Sequence, residues 1–184
     1  MNGINHIALT ALILTFFYCE PTNPTDADNL SSADTIQGAI SAVIDDYKLQ
    51  NHAITALYNA DLGGYLTITI TEPPTSAKQA VISISIPSSC LNLIGTYPIL
   101  KQTISVQNAL VNPFVICSDV TSATLRQFKT DSSYTGVILI TECNTAKRRI
   151  SGGFAFKAGR TDISGYKSGE TISGTVKLEN IFWK

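Results

Sequence analysis

Tyr65-Leu66-Thr67-Ile68-Thr69-Ile70-Thr71 alternates strictly between aliphatic and hydroxyl side chains, and Val81-Ile82-Ser83-Ile84-Ser85-Ile86 repeats the pattern after an intervening turn. Successive side chains of a strand point to opposite faces, so Leu66, Ile68 and Ile70 face a core while the threonines face water. The composition agrees: 22 Ile and 21 Thr among 184 residues are β-branched, stiff at χ1, and better suited to a pleated surface than to a helix. Outward from this pair, further strands are expected at Ile40–Tyr47, Ala53–Tyr58, Gln102–Val106, Phe114–Cys117, Ala123–Lys129, Thr135–Glu142, Arg149–Lys157 and Thr171–Phe182. Turn residues separate them, notably Asp61-Leu62-Gly63-Gly64, Glu72-Pro73-Pro74-Thr75, Pro87-Ser88-Ser89 and Cys143-Asn144-Thr145-Ala146. No helical period interrupts the series. The reading is all-β: an antiparallel β-sandwich of about nine strands in two packed sheets over residues 36–184.

With 44% hydrophobic and 15% charged residues the chain has enough apolar surface to fold, and its length suits one domain. The formal net charge of −1 provides no field to draw in polyanions, so nucleic acid is not an expected partner. Charge is unevenly placed all the same. Residues 1–47 hold six acids and no Lys or Arg, whereas residues 48–184 hold 13 basic and 8 acidic residues.

The apolar run Ile7–Tyr18 is twelve residues long. A bilayer-spanning helix needs about 20, whereas the apolar core of a secretory signal needs roughly 7–15. Cys19 follows at once, then Glu20-Pro21-Thr22-Asn23-Pro24-Thr25-Asp26. Apolar run, single Cys and polar Pro-rich stretch together resemble a bacterial lipoprotein signal, in which the Cys thiol is acylated and becomes the new N-terminus. Bulky Tyr18 before the Cys, and the absence of Lys or Arg in Met1–His6, depart from that pattern. Cleaved soluble export is one alternative, and no export, with the apolar run as a buried first strand, is the other. Residues 1–18 are thus expected to be a signal peptide and residues 19–35 a disordered tether, too poor in apolar residues to fold. At its end, Asp34-Thr35-Ile36 resembles a short bacterial O-glycosylation motif.

Several blocks of the folded part resemble small Bacteroidota-type lipoproteins of unknown function: Ser41-Ala42-Val43-Ile44-Asp45-Asp46, Gly64–Ile70, Gly95-Thr96-Tyr97, Gly136–Thr141, Arg149–Phe156 and Ile172–Val176. The resemblance spans about residues 38–184 together with the leader. It implies a single β-sandwich on a lipid tether and no catalytic motif.

Residues capable of chemistry are few. His6 lies in the expected signal, which leaves His52 alone in the mature chain, in a polar stretch read as a turn. No nucleophile elbow, zinc-type spacing, Walker or dinucleotide glycine pattern occurs, so no enzyme activity, metal or cofactor is expected. Asp45 and Asp46 are adjacent and on a strand would face opposite ways. Glu142 and Glu179 could meet only if the fold brought two strand ends together, the arrangement a hydrolase would need. Among Cys90, Cys117 and Cys143, three pairings are open; Cys90 with Cys117 is preferred because both sit at strand ends.

Ligand contacts are sought in Lys147-Arg148-Arg149, the one basic run, and in aromatic faces, chiefly Tyr166 and the sole tryptophan, Trp183. Alternation from Ile172 assigns Phe182 to the core and Trp183 to the opposite face. The expected role is a non-enzymatic, lipid-anchored outer-membrane protein that reaches the membrane through lipid on Cys19 and binds an envelope protein or a glycan. The alternatives are a structural or assembly component of an envelope complex and, less favoured, an envelope hydrolase.

Overall fold

A computed structural model describes residues 40–49, 52–73, 78–121, 125–161 and 167–184, all of them within the unit Thr35–Lys184. The leader, Cys19 and the tether lie outside the described residues, as does Tyr166. Eleven strands and one short helix follow in order: β1 Ile40–Ile44, β2 Tyr47–Lys48, β3 Ala53–Asn59, β4 Tyr65–Thr71, β5 Lys78–Pro87, α1 Ser88–Leu91, β6 Gly95–Ile99, β7 Phe114–Thr121, β8 Leu125–Lys129, β9 Gly136–Asn144, β10 Arg149–Thr161 and β11 Lys167–Phe182. The fold is all-β. Among the described residues no helix is long and apolar enough to cross a membrane.

The two alternating stretches pair with each other as β4 and β5, Leu66 opposite Ile86, Ile68 opposite Ile84 and Ile70 opposite Ile82. All six side chains are buried. On the other face the hydroxyls meet across the strands, Thr67 Oγ1 to Ser85 Oγ at 3.1 Å and Thr69 Oγ1 to Ser83 Oγ at 3.0 Å. One face buries isoleucine and the other forms a hydroxyl ladder. The same core takes Ile138 and Ile140 from β9, Phe154 and Phe156 from β10, and Val176 and Leu178 from β11. Each large aliphatic side chain so buried contributes about 1.5–3 kcal/mol.

Instead of about nine strands in two separate sheets, the structure has eleven in one continuous curled antiparallel sheet. Its main path is β2-β1-β11-β10-β8-β7-β5-β4-β3, with β9 and then β6 branching from β10. Strand length explains the continuity. The 13-residue β10 pairs with β9 along Arg149–Phe156, then with β8 at Gly159 and Arg160, so one strand serves two sets of neighbours. Likewise β11 pairs with β1 only over Gly174–Leu178. Just past its end, Tyr58 N–H donates to Lys184 O at 2.9 Å and Lys184 N–H donates to Ala56 O at 3.2 Å. That is the slanted pattern of a parallel pair. It has to be parallel, because β3 and β11 stand first and last in a run of seven mutually antiparallel strands.

Local departures from the sequence reading have local causes. Ile40–Tyr47 is a hairpin rather than one strand, because Asp45 and Asp46 both take positive φ, 43° and 67°, the geometry of a type I′ turn. Gln102–Val106 is no strand and keeps only a single bridge, Ile104 to Leu110. Gly95–Ile99 is a strand despite Pro98; pairing with β9 alone leaves one edge where a missing N–H costs nothing. Pro87-Ser88-Ser89 opens α1 instead of a simple turn.

Candidate functional site

Register shifts change which side chains face inward, and the site follows from them. Along β11 the pairing with β10 slips between Ile150 and Gly152, where Asn180 adopts φ 53°. The extra residue reverses the alternation beyond Leu178, so Ile181 and Trp183 point inward. Trp183 is 5% exposed and Phe182 48%, the reverse of the assignment by simple alternation. β9 slips at the same level, between Ser151 and Gly152 on its partner. Cys143, not Glu142, is therefore turned to the core, and it packs there half-buried.

Trp183 lines a groove of about 360 Å³ with Tyr58, Ser88, Leu91, Asn92, Thr145, Arg148 and Lys184. Four segments build it. β3 contributes Tyr58, half-exposed, whose hydroxyl lies so close to Gly64 that a Cβ there would stand 2.1 Å from it. The start of α1 is held to the Gly63-Gly64 turn by Ser88 N–H to Gly64 O at 3.0 Å and Ser88 Oγ–H to Gly63 O at 2.9 Å. The β9–β10 turn supplies Thr145 and Arg148; Asn144 Oδ1 accepts Lys147 N–H at 2.8 Å and so fastens its start. Trp183 N–H donates to Arg148 O at 3.0 Å, joining the turn to the chain beyond β11.

Of the expected ligand residues, this groove brings together Trp183 and Arg148. Lys147 and Arg149 do not line it: Lys147 is exposed on the turn, and Arg149 is half-buried at the start of β10, opposite Asn144 and Phe182. Tyr58, Asn92, Thr145 and Lys184 were not singled out by the sequence. Nothing in their local pattern marks them, because they converge only through the sheet.

Electrostatics set this groove apart. Two cationic side chains line it and, among the described residues, no Asp or Glu side chain does. Among the described residues neither Arg148 nor Lys184 has an ion-pair partner, whereas Arg126 pairs with Asp119, Arg160 with Glu170 at 2.8 Å and Lys177 with Glu179. A second groove of about 210 Å³ contains Asp45, Asp119, Arg126, Phe128, Glu170, Thr171 and Ile172. Its carboxylates are already engaged. Asp119, almost fully buried, and Glu170 are held by guanidinium groups, and Asp45 Oδ1 accepts Ser173 N–H at 2.8 Å. Glu142 and Glu179 line neither groove; Glu142 accepts from Ser151 Oγ–H at 3.4 Å. His52 is half-buried before β3 and lines neither groove either. Among the described residues no group of three His, Cys, Asp or Glu side chains is placed to hold a metal ion.

No disulfide joins any of Cys90, Cys117 and Cys143, so the expected Cys90–Cys117 bridge is not formed. Cys117 stands opposite Ile82 of β5, while Cys90 lies beyond the end of that strand. From Ile82 to Pro87 the strand alone runs about 17 Å, well beyond the Cα separation of about 7 Å that a disulfide tolerates. Burial pushes the Cys90 thiol up, partly offset by a hydrogen bond with Ser89; burial and then Glu142 push Cys143 up. The Tyr97 hydroxyl, donating to Leu93 O at 2.7 Å, is also raised, chiefly by burial and then by Cys90 and Cys143.

The chain matches no known protein family, no curated protein and no solved structure.

Proposed function

We propose that this chain is a non-enzymatic protein of the cell envelope, anchored through acylated Cys19, that binds a glycan or a protein in the Tyr58–Trp183–Arg148 groove. One observation carries the binding reading: two cationic side chains with no ion-pair partner among the described residues stand beside two aromatic side chains in a concavity whose backbone is hydrogen-bonded from every contributing segment. Ligand sites combine apolar or aromatic walls with a few placed polar groups in this way. The envelope part rests on the leader sequence, the polar tether and the resemblance to small Bacteroidota-type lipoproteins. Acyl chains on Cys19 would hold the domain to the membrane, each buried methylene contributing about 0.8 kcal/mol.

Two measurements test the reading. The intact mass of protein extracted from its native membranes is expected to equal residues 19–184 plus acyl chains; a lipid-free mass would rule out the anchor. The emission of Trp183, the sole tryptophan, is expected to change on titration with envelope glycans or envelope protein extract. Constant emission with both would rule out the groove as the binding site.

A second reading, a structural or assembly component, is favoured by β6. It pairs with β9 on one side only, and Leu93 and Ile94 are exposed just before it. Such an edge can accept a strand from a partner. Crosslinking in the native membrane that yields only monomer would count against it.

A further inference from the structure

We infer that the Tyr58–Trp183–Arg148 groove selects an acidic saccharide, one that offers a carboxylate to Arg148. This rests on the reading of that groove as the binding site and narrows it to a chemical class.

The first ground is charge. A cation without a partner in a folded protein is usually solvated at no cost, but here two cationic side chains line one concavity to which no Asp or Glu side chain among the described residues contributes. The remaining lining side chains are two hydroxyls, an amide, two aromatic rings and a single aliphatic group, Leu91, a mixed polar and aromatic set that complements a sugar. A guanidinium fork binds carboxylate with two parallel hydrogen bonds, which gives orientation as well as attraction.

The second ground is the backbone under Arg148. Its φ of 53° lies in the left-handed region, where glycine is the easy residue and a long side chain carries a local strain. An arginine at that position is not explained by the turn. Its carbonyl is held by Trp183 N–H and its own N–H donates to Thr145 O at 3.3 Å, so the side chain rises from a fixed base. Tyr58 supplies the stacking surface, its ring half-exposed and its hydroxyl end packed on Gly64. At about 360 Å³ the groove sits near the lower end of the roughly 300–1,000 Å³ typical of ligand sites. It fits the end of an oligosaccharide better than the length of a polymer.

The test is calorimetric titration of the full-length chain with trigalacturonate and with its carboxyl-reduced counterpart, trigalactose, at low and high salt. Trigalacturonate is expected to bind on the order of tenfold or more tighter than trigalactose, the worth of a hydrogen bond to a charged group. The preference is expected to collapse on going from about 0.1 M to about 1 M NaCl, where screening shortens to roughly 3 Å. Arg148→Gly, which suits the backbone, is expected to fold normally and lose the preference; Lys184→Gln is expected to weaken it. Equal binding of both oligosaccharides would overturn the acidic selectivity and leave the groove as a site. A preference that survives both substitutions would overturn its placement at Arg148. Binding of neither would overturn the inference and the glycan reading of the groove together.

Discussion

The amide of Trp183 donates to the carbonyl of Arg148 across 3.0 Å, and this bond ties the only tryptophan and a cationic side chain into one groove. Trp183 would not occupy its place without the slip in β11 at Asn180. That slip turns Trp183 inward and lets the chain run on to meet β3 at Tyr58 and Ala56. Packing and site are therefore one construction at this end of the molecule.

Trp183→Ala is expected to cost about 3–5 kcal/mol, the range for truncating a buried large aromatic. In a domain of this size that corresponds to a fall in Tm of roughly 10 °C or more. Thermal melting of the variant checks it, and Phe182→Ala serves as the control. Because Phe182 is half-exposed, its truncation is expected to cost much less.

Gly152 lies where both neighbours of β10 slip register, and a Cβ there would stand 2.1 Å from the Leu139 carbonyl oxygen, a backbone atom that has nowhere to move. Gly152→Ala is expected to destabilise by about 1–3 kcal/mol or more. Gly169→Ala supplies a comparison, since no atom stands near a Cβ there and only its positive φ resists. Chemical denaturation of the two variants is expected to rank Gly152→Ala as the more damaging.

The Asp45-Asp46 turn gives two adjacent substitutions of opposite sign. Asp46 has φ 67°, so Asp46→Gly relieves a left-handed conformation and is expected to stabilise by roughly 0.4–1 kcal/mol. Asp45 Oδ1 accepts Ser173 N–H at 2.8 Å, so Asp45→Ala is expected to lose about 1 kcal/mol. Equilibrium unfolding in urea resolves both.

The thiols are expected to alkylate in the order of their exposure, Cys143 before Cys90 and Cys117. Cys90 and Cys143 are both raised above the ordinary thiol value of 9.0, first of all by burial. The folded state thus keeps these protons at pH values where the unfolded chain releases them. Stability from this source is intact below about pH 9 and declines as pH rises through the folded-state values. Replacing both cysteines with alanine is expected to flatten the alkaline limb of a stability–pH profile, measured by urea unfolding.

Much of the sheet was legible. β4 and β5 were read from aliphatic–hydroxyl alternation because both faces of that pair report their environment in residue type. Arg149–Lys157 and Thr171–Phe182 were also recognisable as strands, although both continue further. β6 was missed because Pro98 argues against a strand unless the edge position is known. The Ile40–Tyr47 hairpin was missed because aspartate, unlike glycine, does not announce positive φ. For the site, Trp183 and Arg148 stood out by rarity and charge, while Tyr58, Asn92 and Thr145 had no distinguishing neighbours.

Sequence by itself determined the all-β class and most strand positions, since side-chain alternation is a local property that every residue of a strand records. It also singled out the tryptophan and the basic run. Only the tertiary structure decided which way Trp183 faces, because one bulge residue reverses the parity of all that follow, and a bulge is chosen by the neighbouring strands. Only the tertiary structure joined Tyr58, Asn92, Arg148 and Trp183, which stand far apart in the chain and meet because β3 hydrogen-bonds to the residue after Trp183.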